Sequence, residues 1–462
     1  MPGRKKNHHK NNNNNRARHQ RGGQQSKDKQ EQQEKEQSTS PTEEKELPYR
    51  VEHSDIYGRY LVANRQLEAG ETLIREEPLA IGPCVSGDPV CLGCYQPVSL
   101  QPDQYRCPGC AWPIPDPEQF ALIARMESHT EERRQNAVLW RHYEEKVVQR
   151  LRGTWQLEDL EAEQVHEIGQ IGVKVRTLYP SAFLLAHDCT PNTAHTDDPR
   201  SFEILLRTSR RVREREALTL SYAYTLQGTL KRRAFMHEGK LFWCCCRRCS
   251  DPRELGTDCS ALVCATCRTG SVRAVDPLQQ TGDWACDRCA HKMGATEVER
   301  QLDRINNDLE DIDVHDIPGL ENFLLRYRDV LRPNHYLLLS AKYSLCQIYG
   351  RTEGYLLPQM TPEDIARKES YCREFLEIVD VLDPGLTRLR GLIMYELHAP
   401  VMVLTQSAFQ SGQISRQEFQ RRLKEVVNLL QVSRDILLME PEGSTENAMG
   451  QAAADALSKM GC

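Results

Sequence analysis

An α+β fold follows from three features of this sequence. Short runs with strand-like alternation flank a charged central stretch, cysteines recur at metal-binding spacing, and the C-terminal third reads as helices punctuated by proline and glycine. The expected architecture is a β-rich domain, small zinc-binding modules and an all-α C-terminal arm, preceded by a polar tail. The 462 residues leave room for about three domains. A charged share of 27% is ordinary for globular chains. No apolar run approaches the ~18–20 residues of a membrane span. Met1-Pro2-Gly3-Arg4-Lys5-Lys6 has no apolar core behind its charges. Neither insertion nor secretion is therefore expected, and the expected location is the nucleus or cytoplasm.

Residues 1–47 read as a disordered polar tail. They hold a five-asparagine run, almost no apolar residue, and 11 Lys/Arg against 7 Asp/Glu. The formal charge of −6 thus becomes −10 for the remainder. The basic start leaves RNA binding or a nuclear address as alternatives to a solvated tail. From Tyr49 to Pro83 the pattern is β-like, with Tyr60-Leu61-Val62-Ala63 and Thr72-Leu73-Ile74 as strand candidates and turns at Tyr57-Gly58 and Ala69-Gly70. Residues 117–169 are charged and helical in pattern. Strands return over 202–222, where Phe202, Ile204, Leu206 alternate and then Leu218, Leu220, Tyr222. From about 297 onward, Pro318, Pro333, Pro362, Pro384 and Ser411-Gly412 separate helices of tetratricopeptide-like length.

The 18 cysteines are concentrated. In a reducing compartment clustered cysteines point to metal rather than disulfides. Cys91-x-x-Cys94 with Cys107-x-x-Cys110, and Cys264-x-x-Cys267 with Cys286-x-x-Cys289, each supply four thiolates at the spacing tetrahedral zinc takes. Four protein ligands leave no open position, so both sites read as structural. Cys244, Cys246 and Cys249 lack a fourth ligand; Cys189 is the nearest uncommitted candidate inside a motif, and spacing alone leaves that pairing open. Cys84, Cys245, Cys259, Cys346, Cys372 and Cys462 read as buried small hydrophobes or inert surface thiols.

Several motifs occur in a telling order: Gly58-Arg59-Tyr60-Leu61, Leu178-Tyr179-Pro180-Ser181-Ala182, His187-Asp188-Cys189-Thr190-Pro191-Asn192, and Leu220-Ser221-Tyr222 followed by Arg232-Arg233 and Phe242 through Cys249. With Leu331-Arg332-Pro333-Asn334-His335 in the arm, this order resembles the SET-domain protein methyltransferases. The likeness is to the SET-and-MYND (SMYD) family and its arthropod-type branch, over about 48–462. It implies a SET domain with a pseudoknot over 48–222, interrupted by a MYND-like zinc finger (about 91–129) and a helical insert (about 117–175). A post-SET zinc region with a second zinc ribbon would follow at 223–296, and a tetratricopeptide-like helical domain at 297–462.

The implied activity is methyl transfer from S-adenosylmethionine to a protein lysine. The resemblance assigns Tyr222 as the catalytic tyrosine, and Gly58, Arg59, Tyr60, Ala186, His187, Tyr222 and Phe242 to the cofactor. It places Cys189 with Cys244, Cys246 and Cys249 around one zinc, for three ions in all. Implied partners are a protein substrate with a lysine, its tail basic to suit an acidic groove, and other proteins at the finger and arm.

Departures from the family pattern support a second reading, a catalytically weak SET-fold protein acting as an interaction or transcription-regulating module. Tyr60 replaces the second glycine of the usual Gly-x-Gly, Ala186 the strip's leading asparagine, and Lys240 the second channel tyrosine. Lys174 stands near a further family asparagine, and His129 is the remnant of the finger's second half. The surviving finger cysteines then form either one regrouped site or an incomplete, metal-free knuckle. Nucleic-acid binding is a third class. The knuckles lack interleaved basic and aromatic residues and the folded remainder is acidic, which argues against it.

Overall fold

The computed structural model describes residues 47–81, 177–198 and 201–461. The chain divides into two units, Met1–Leu47 and Pro48–Cys462. The tail to residue 46, the knuckle Cys91, Cys94, Cys107 and Cys110, the helical insert with His129 and Lys174, and Cys84 and Cys462 lie outside the described residues.

The β-rich part starts with a hairpin of β1 (Tyr49–Ser54) and β2 (Gly58–Ala63), paired from Tyr49 with Ala63 to Ser54 with Gly58. Its loop is three residues long and ends at Gly58 with φ +62°, the left-handed step such loops need. β3 (Thr72–Glu76), β7 (Thr193–Asp197) and β8 (Ile204–Thr208) form an antiparallel sheet in the order β3-β8-β7. β4 (Ala80–Ile81) pairs antiparallel with β5 (Thr177–Leu178), a short ladder between stretches far apart in the sequence.

β6 (Ala186–His187) runs parallel to β9 (Thr219–Leu220). The segment before β9 also meets β2, with the Leu218 N–H donating to the Leu61 carbonyl at 2.8 Å. Leu61, Leu67, Leu185, Leu206, Val212 and Leu218 make the core between these strands. Burying each contributes roughly 1.5–3 kcal/mol.

Two expected alternations are truncated. β8 begins at Ile204 because Phe202 sits in a turn at φ +59°, its N–H bonded to the Asp198 carbonyl. β9 stops at Leu220 because the Tyr222 N–H is taken by the His187 ring rather than by a strand.

Next come α1 (Thr229–Lys240) and α2 (Arg247–Ser250), then a four-stranded ribbon of β10 (Leu262–Val263), β11 (Ser271–Ala274), β12 (Asp283–Cys286) and β13 (Lys292–Gly294). The arm consists of α3 (Ala295–Glu310), α4 (Ile317–Tyr327), α5 (Tyr336–Ile348), α6 (Pro362–Leu382), α7 (Arg388–Gln410), α8 (Arg416–Leu437) and α9 (Thr445–Lys459). Pro333, Pro384 and Ser411-Gly412 lie between helices as expected, but Pro318 and Pro362 sit in first turns, where the missing N–H costs nothing. Pro400 stands inside α7 without ending it. α6 opens with a capping box, Thr361 and Asp364 each bonding the other's backbone N–H.

One core runs from the ribbon into the arm, through Leu262, Val272 and Trp284 to Val298, Leu339 and Phe375. The arm also docks on the β-rich part. The Leu386 N–H donates to the Ser209 carbonyl at 2.7 Å and the Arg207 guanidinium to the Met439 carbonyl at 2.9 Å. Gly385 permits this contact, for a Cβ there would lie 2.1 Å from the Ser209 carbonyl oxygen.

His335 caps α5, its Nδ1 accepting the Leu337 N–H at 3.3 Å, and is wholly buried. Burial holds its imidazole at about 3, so the folded protein keeps it neutral while the unfolded chain takes up a proton below its ordinary 6.5. The stabilising difference is intact above about pH 6.5 and shrinks as pH falls towards 3. Urea unfolding should show the wild type losing about 2 kcal/mol more than His335→Asn, which can still cap, between pH 7 and 5. Parallel losses in the two proteins would contradict this.

Candidate functional site: a thiol cluster tied to Tyr222

The structure brings Cys189, from the strip after β6, together with Cys244, Cys246 and Cys249 around α2. Their four sulfurs lie within 4.8 Å of one another. Cys189 Sγ is 3.9 Å from Cys244 Sγ and 3.5 Å from Cys249 Sγ. Tetrahedral zinc with ~2.3 Å bonds places its sulfurs about 3.8 Å apart. Cys189, Cys244 and Cys249 are buried and Cys246 half-buried.

Cys264, Cys267, Cys286 and Cys289 form a second cluster at the end of the ribbon, with Cys264–Cys289 at 3.6 Å and Cys267–Cys286 at 3.7 Å. Backbone N–H groups face these sulfurs, Gly270 on Cys267 at 3.2 Å and Arg288 on Cys286 at 3.3 Å. Such donors, with that of Thr269, hold the Cys267 thiol down at about 6. Both clusters could hold zinc, and both donor sets suit it. Of the remaining described cysteines, Cys259, Cys346 and Cys372 are buried and Cys245 is exposed.

Charge compensates the first cluster from one side. Arg232 on α1 is 1% exposed and donates to Cys249 Sγ at 3.6 Å. Its other contacts are the Glu254 carboxylate at 2.8 Å, Thr229 Oγ1 and the Gln227 carbonyl. Arg248 donates to the same Glu254 at 3.1 Å and to the Thr225 carbonyl at 2.7 Å. Burial alone would raise the Glu254 carboxyl, but Arg232 and Arg248 hold it at about 2. Removing any one member of an ion triad this deep would leave an uncompensated buried charge, which is strongly destabilising. Sequence reasoning quoted Arg232 within a motif without seeing this role. Its signal was the spacing that puts Arg232 and Met236 on one buried stripe of α1.

His187 joins the cluster to Tyr222. The Tyr222 backbone N–H donates to His187 Nδ1 at 3.0 Å, which leaves the ring proton on Nε2, 3.3 Å from Cys189 Sγ. Burial holds the imidazole at about 4, so it stays neutral and donates to the sulfur. Asn192 locks the same strip to β9: its amide oxygen accepts the Thr219 N–H at 2.8 Å and its amide nitrogen donates to the Ala217 carbonyl at 2.8 Å. The resemblance assigns His187 to the cofactor and quotes Asn192 only within a motif; neither reading includes these hydrogen bonds. Ala186 is buried on β6 opposite Thr219.

Around Tyr222 the rings of His187 and Phe242 gather, His187 lying 5.2 Å from Tyr222 and 5.9 Å from Phe242. The Tyr222 hydroxyl donates to the Leu185 carbonyl, and burial pushes the phenol up to about 12. At neutral pH it is therefore a hydrogen-bond donor rather than a base.

The hairpin turn reaches the same region. Burial and then the Asp188 carboxylate raise the Tyr57 phenol, and its ring stands 5.2 Å from that of Tyr60. Gly58 at the hairpin end has left-handed backbone, and a Cβ there would meet nothing within 4 Å among the described residues. Phe242 is half-buried beside the cluster. Arg59 is exposed and Tyr60 half-buried on β2.

No protein-family model matches this sequence. The chain is similar to a SET domain-containing protein of Drosophila melanogaster, SmydA-8 isoform B. They are 28% identical over 416 residues, covering 76% of this chain and 91% of that protein. Isoform A of the same protein is 30% identical over 230 residues, 48% of each chain.

The purified protein should carry at least two zinc ions per chain. Arg232→Met should speed release of the ion at Cys189 to a chromogenic chelator about tenfold or more, leaving the Cys264 ribbon unchanged. Cys267→Ser identifies the ribbon's ion. Equal release rates in wild type and Arg232→Met would contradict the charge-compensating role.

Proposed function

We propose that this chain, which belongs to the SET-and-MYND (SMYD) family in its arthropod-type branch, is an S-adenosylmethionine-dependent protein-lysine methyltransferase. The reading is carried by the junction of Tyr222 with a four-thiol cluster through His187. When bound, the cofactor supplies an electrophilic methyl group on a sulfonium. Gly58, Arg59, Tyr60, Ala186, His187 and Phe242 would hold it, the backbone of Gly58 and the ring of Phe242 contributing most.

A lysine amine ordinarily carries its proton to about pH 10.4, so it must shed proton and water before it attacks. Tyr222, protonated at neutral pH, orients rather than deprotonates. Its hydroxyl and the Leu185 carbonyl form a donor–acceptor pair that can align an amine. Positioning of this kind contributes several kcal/mol to a displacement.

In this reading zinc at Cys189, Cys244, Cys246 and Cys249 fixes the strip and the segment after α1 against each other, while the Cys264 ribbon braces the start of the arm. The knuckle at Cys91, Cys94, Cys107 and Cys110 would hold a third ion. The domain layout follows the family, with the arm from about 297 as a partner-binding surface and a protein lysine as substrate. The departures Tyr60, Ala186 and Lys240 favour the second reading, a weak or inactive SET-fold module.

Calorimetric titration with S-adenosylmethionine and a radiolabelled methyl assay over candidate protein substrates decide between them. The enzyme reading expects cofactor binding in wild type and Tyr222→Phe alike, with methyl transfer lowered at least about 100-fold in the variant. Absence of cofactor binding by the zinc-loaded wild type would overturn it in favour of the interaction module.

A further inference from the structure

Lys240 places a cation on Tyr222. It is the last residue of α1, four positions beyond Met236 and eight beyond Arg232, so all three share the face turned to the thiol cluster. Its Nζ lies 5.2 Å from the centroid of the Tyr222 ring, within the range of cation–π attraction. Leu241 then takes a left-handed conformation, φ 63°, that ends the helix and sends Phe242 to the cluster. Lys240 makes no ion pair or hydrogen bond among the described residues, so the ring is its partner there. As a whole the residue is exposed, which leaves its long side chain room to swing away. Desolvation lowers the amine from its ordinary value, and the ring's attraction for the charged form opposes that shift.

We propose that Lys240 is an intramolecular stand-in for a substrate ammonium, seated on the Tyr222 face that an incoming lysine would use. The methyltransferase reading enters only in where that lysine would sit. Two like charges do not share one ring face, so a cationic guest enters only by displacing Lys240. The residue thereby sets specificity: it selects for guests whose other contacts outweigh the displacement, and it disfavours small free cations.

The test uses zinc-loaded, cofactor-free full-length protein titrated with tetramethylammonium chloride at constant ionic strength, and with neutral tert-butanol, followed by NMR saturation transfer. Lys240→Met should bind tetramethylammonium about tenfold tighter than wild type, Lys240→Arg should bind it no better than wild type, and tert-butanol should gain nothing. Equal tetramethylammonium binding by wild type and Lys240→Met would overturn the proposal, and so would a matching gain for tert-butanol or for Lys240→Arg. No methyl transfer enters the measurement. An inactive wild type would leave a positive result standing, and a negative result would leave the methyltransferase reading open.

Discussion

Four cysteine sulfurs crowded within 4.8 Å would repel one another as thiolates, and the segments that carry them come from distant parts of the chain. A cation at their centre would turn that repulsion into a clasp, and zinc accepts such a set without geometric preference. Arg232 adds positive charge from α1 and His187 adds a ring N–H from the strip. Because His187 holds the Tyr222 backbone with its other nitrogen, the clasp and the tyrosine are one mechanical unit. Asn192 ties the same strip to β9, so neither end of the unit is free to shift alone.

The rest of the architecture supports that unit. The β2 edge and the segment before β9 pack Leu61 against Leu218 and fix where β9 ends. The ribbon shares its core with the arm, and the arm returns to β8 through Ser209 and Gly385. A disturbance at the docking turn is thus connected to the tyrosine through packed elements rather than through a linker.

Much of this was legible in the sequence because it rests on local chemistry. Cys-x-x-Cys spacing marks the ribbon, apolar and β-branched content marks β2 and β3, alternation marks β8, and proline or glycine marks most helix boundaries. The ordered motifs placed Cys189 beside Cys244, Cys246 and Cys249 by resemblance where spacing alone left the pairing open. What was not legible depends on long-range placement. The Arg232–Glu254–Arg248 triad joins residues up to 22 apart whose types usually face solvent. The His187 tautomer is set by a backbone donor 35 residues away. Pro400 continues a helix because buried packing outweighs its local penalty. Lys240 stands in the sequence where the family pattern has a second channel tyrosine; the structure adds that its ammonium lies on the Tyr222 ring.

The most direct test of the clasp is amide hydrogen exchange across residues 217–224, measured on zinc-loaded protein and after selective removal of the ion at Cys189. If the cluster holds Tyr222 through His187, protection at the Tyr222 amide collapses on metal removal while that of the α7 and α8 amides stays unchanged. Unaltered protection at Tyr222 in the metal-free cluster would contradict the account.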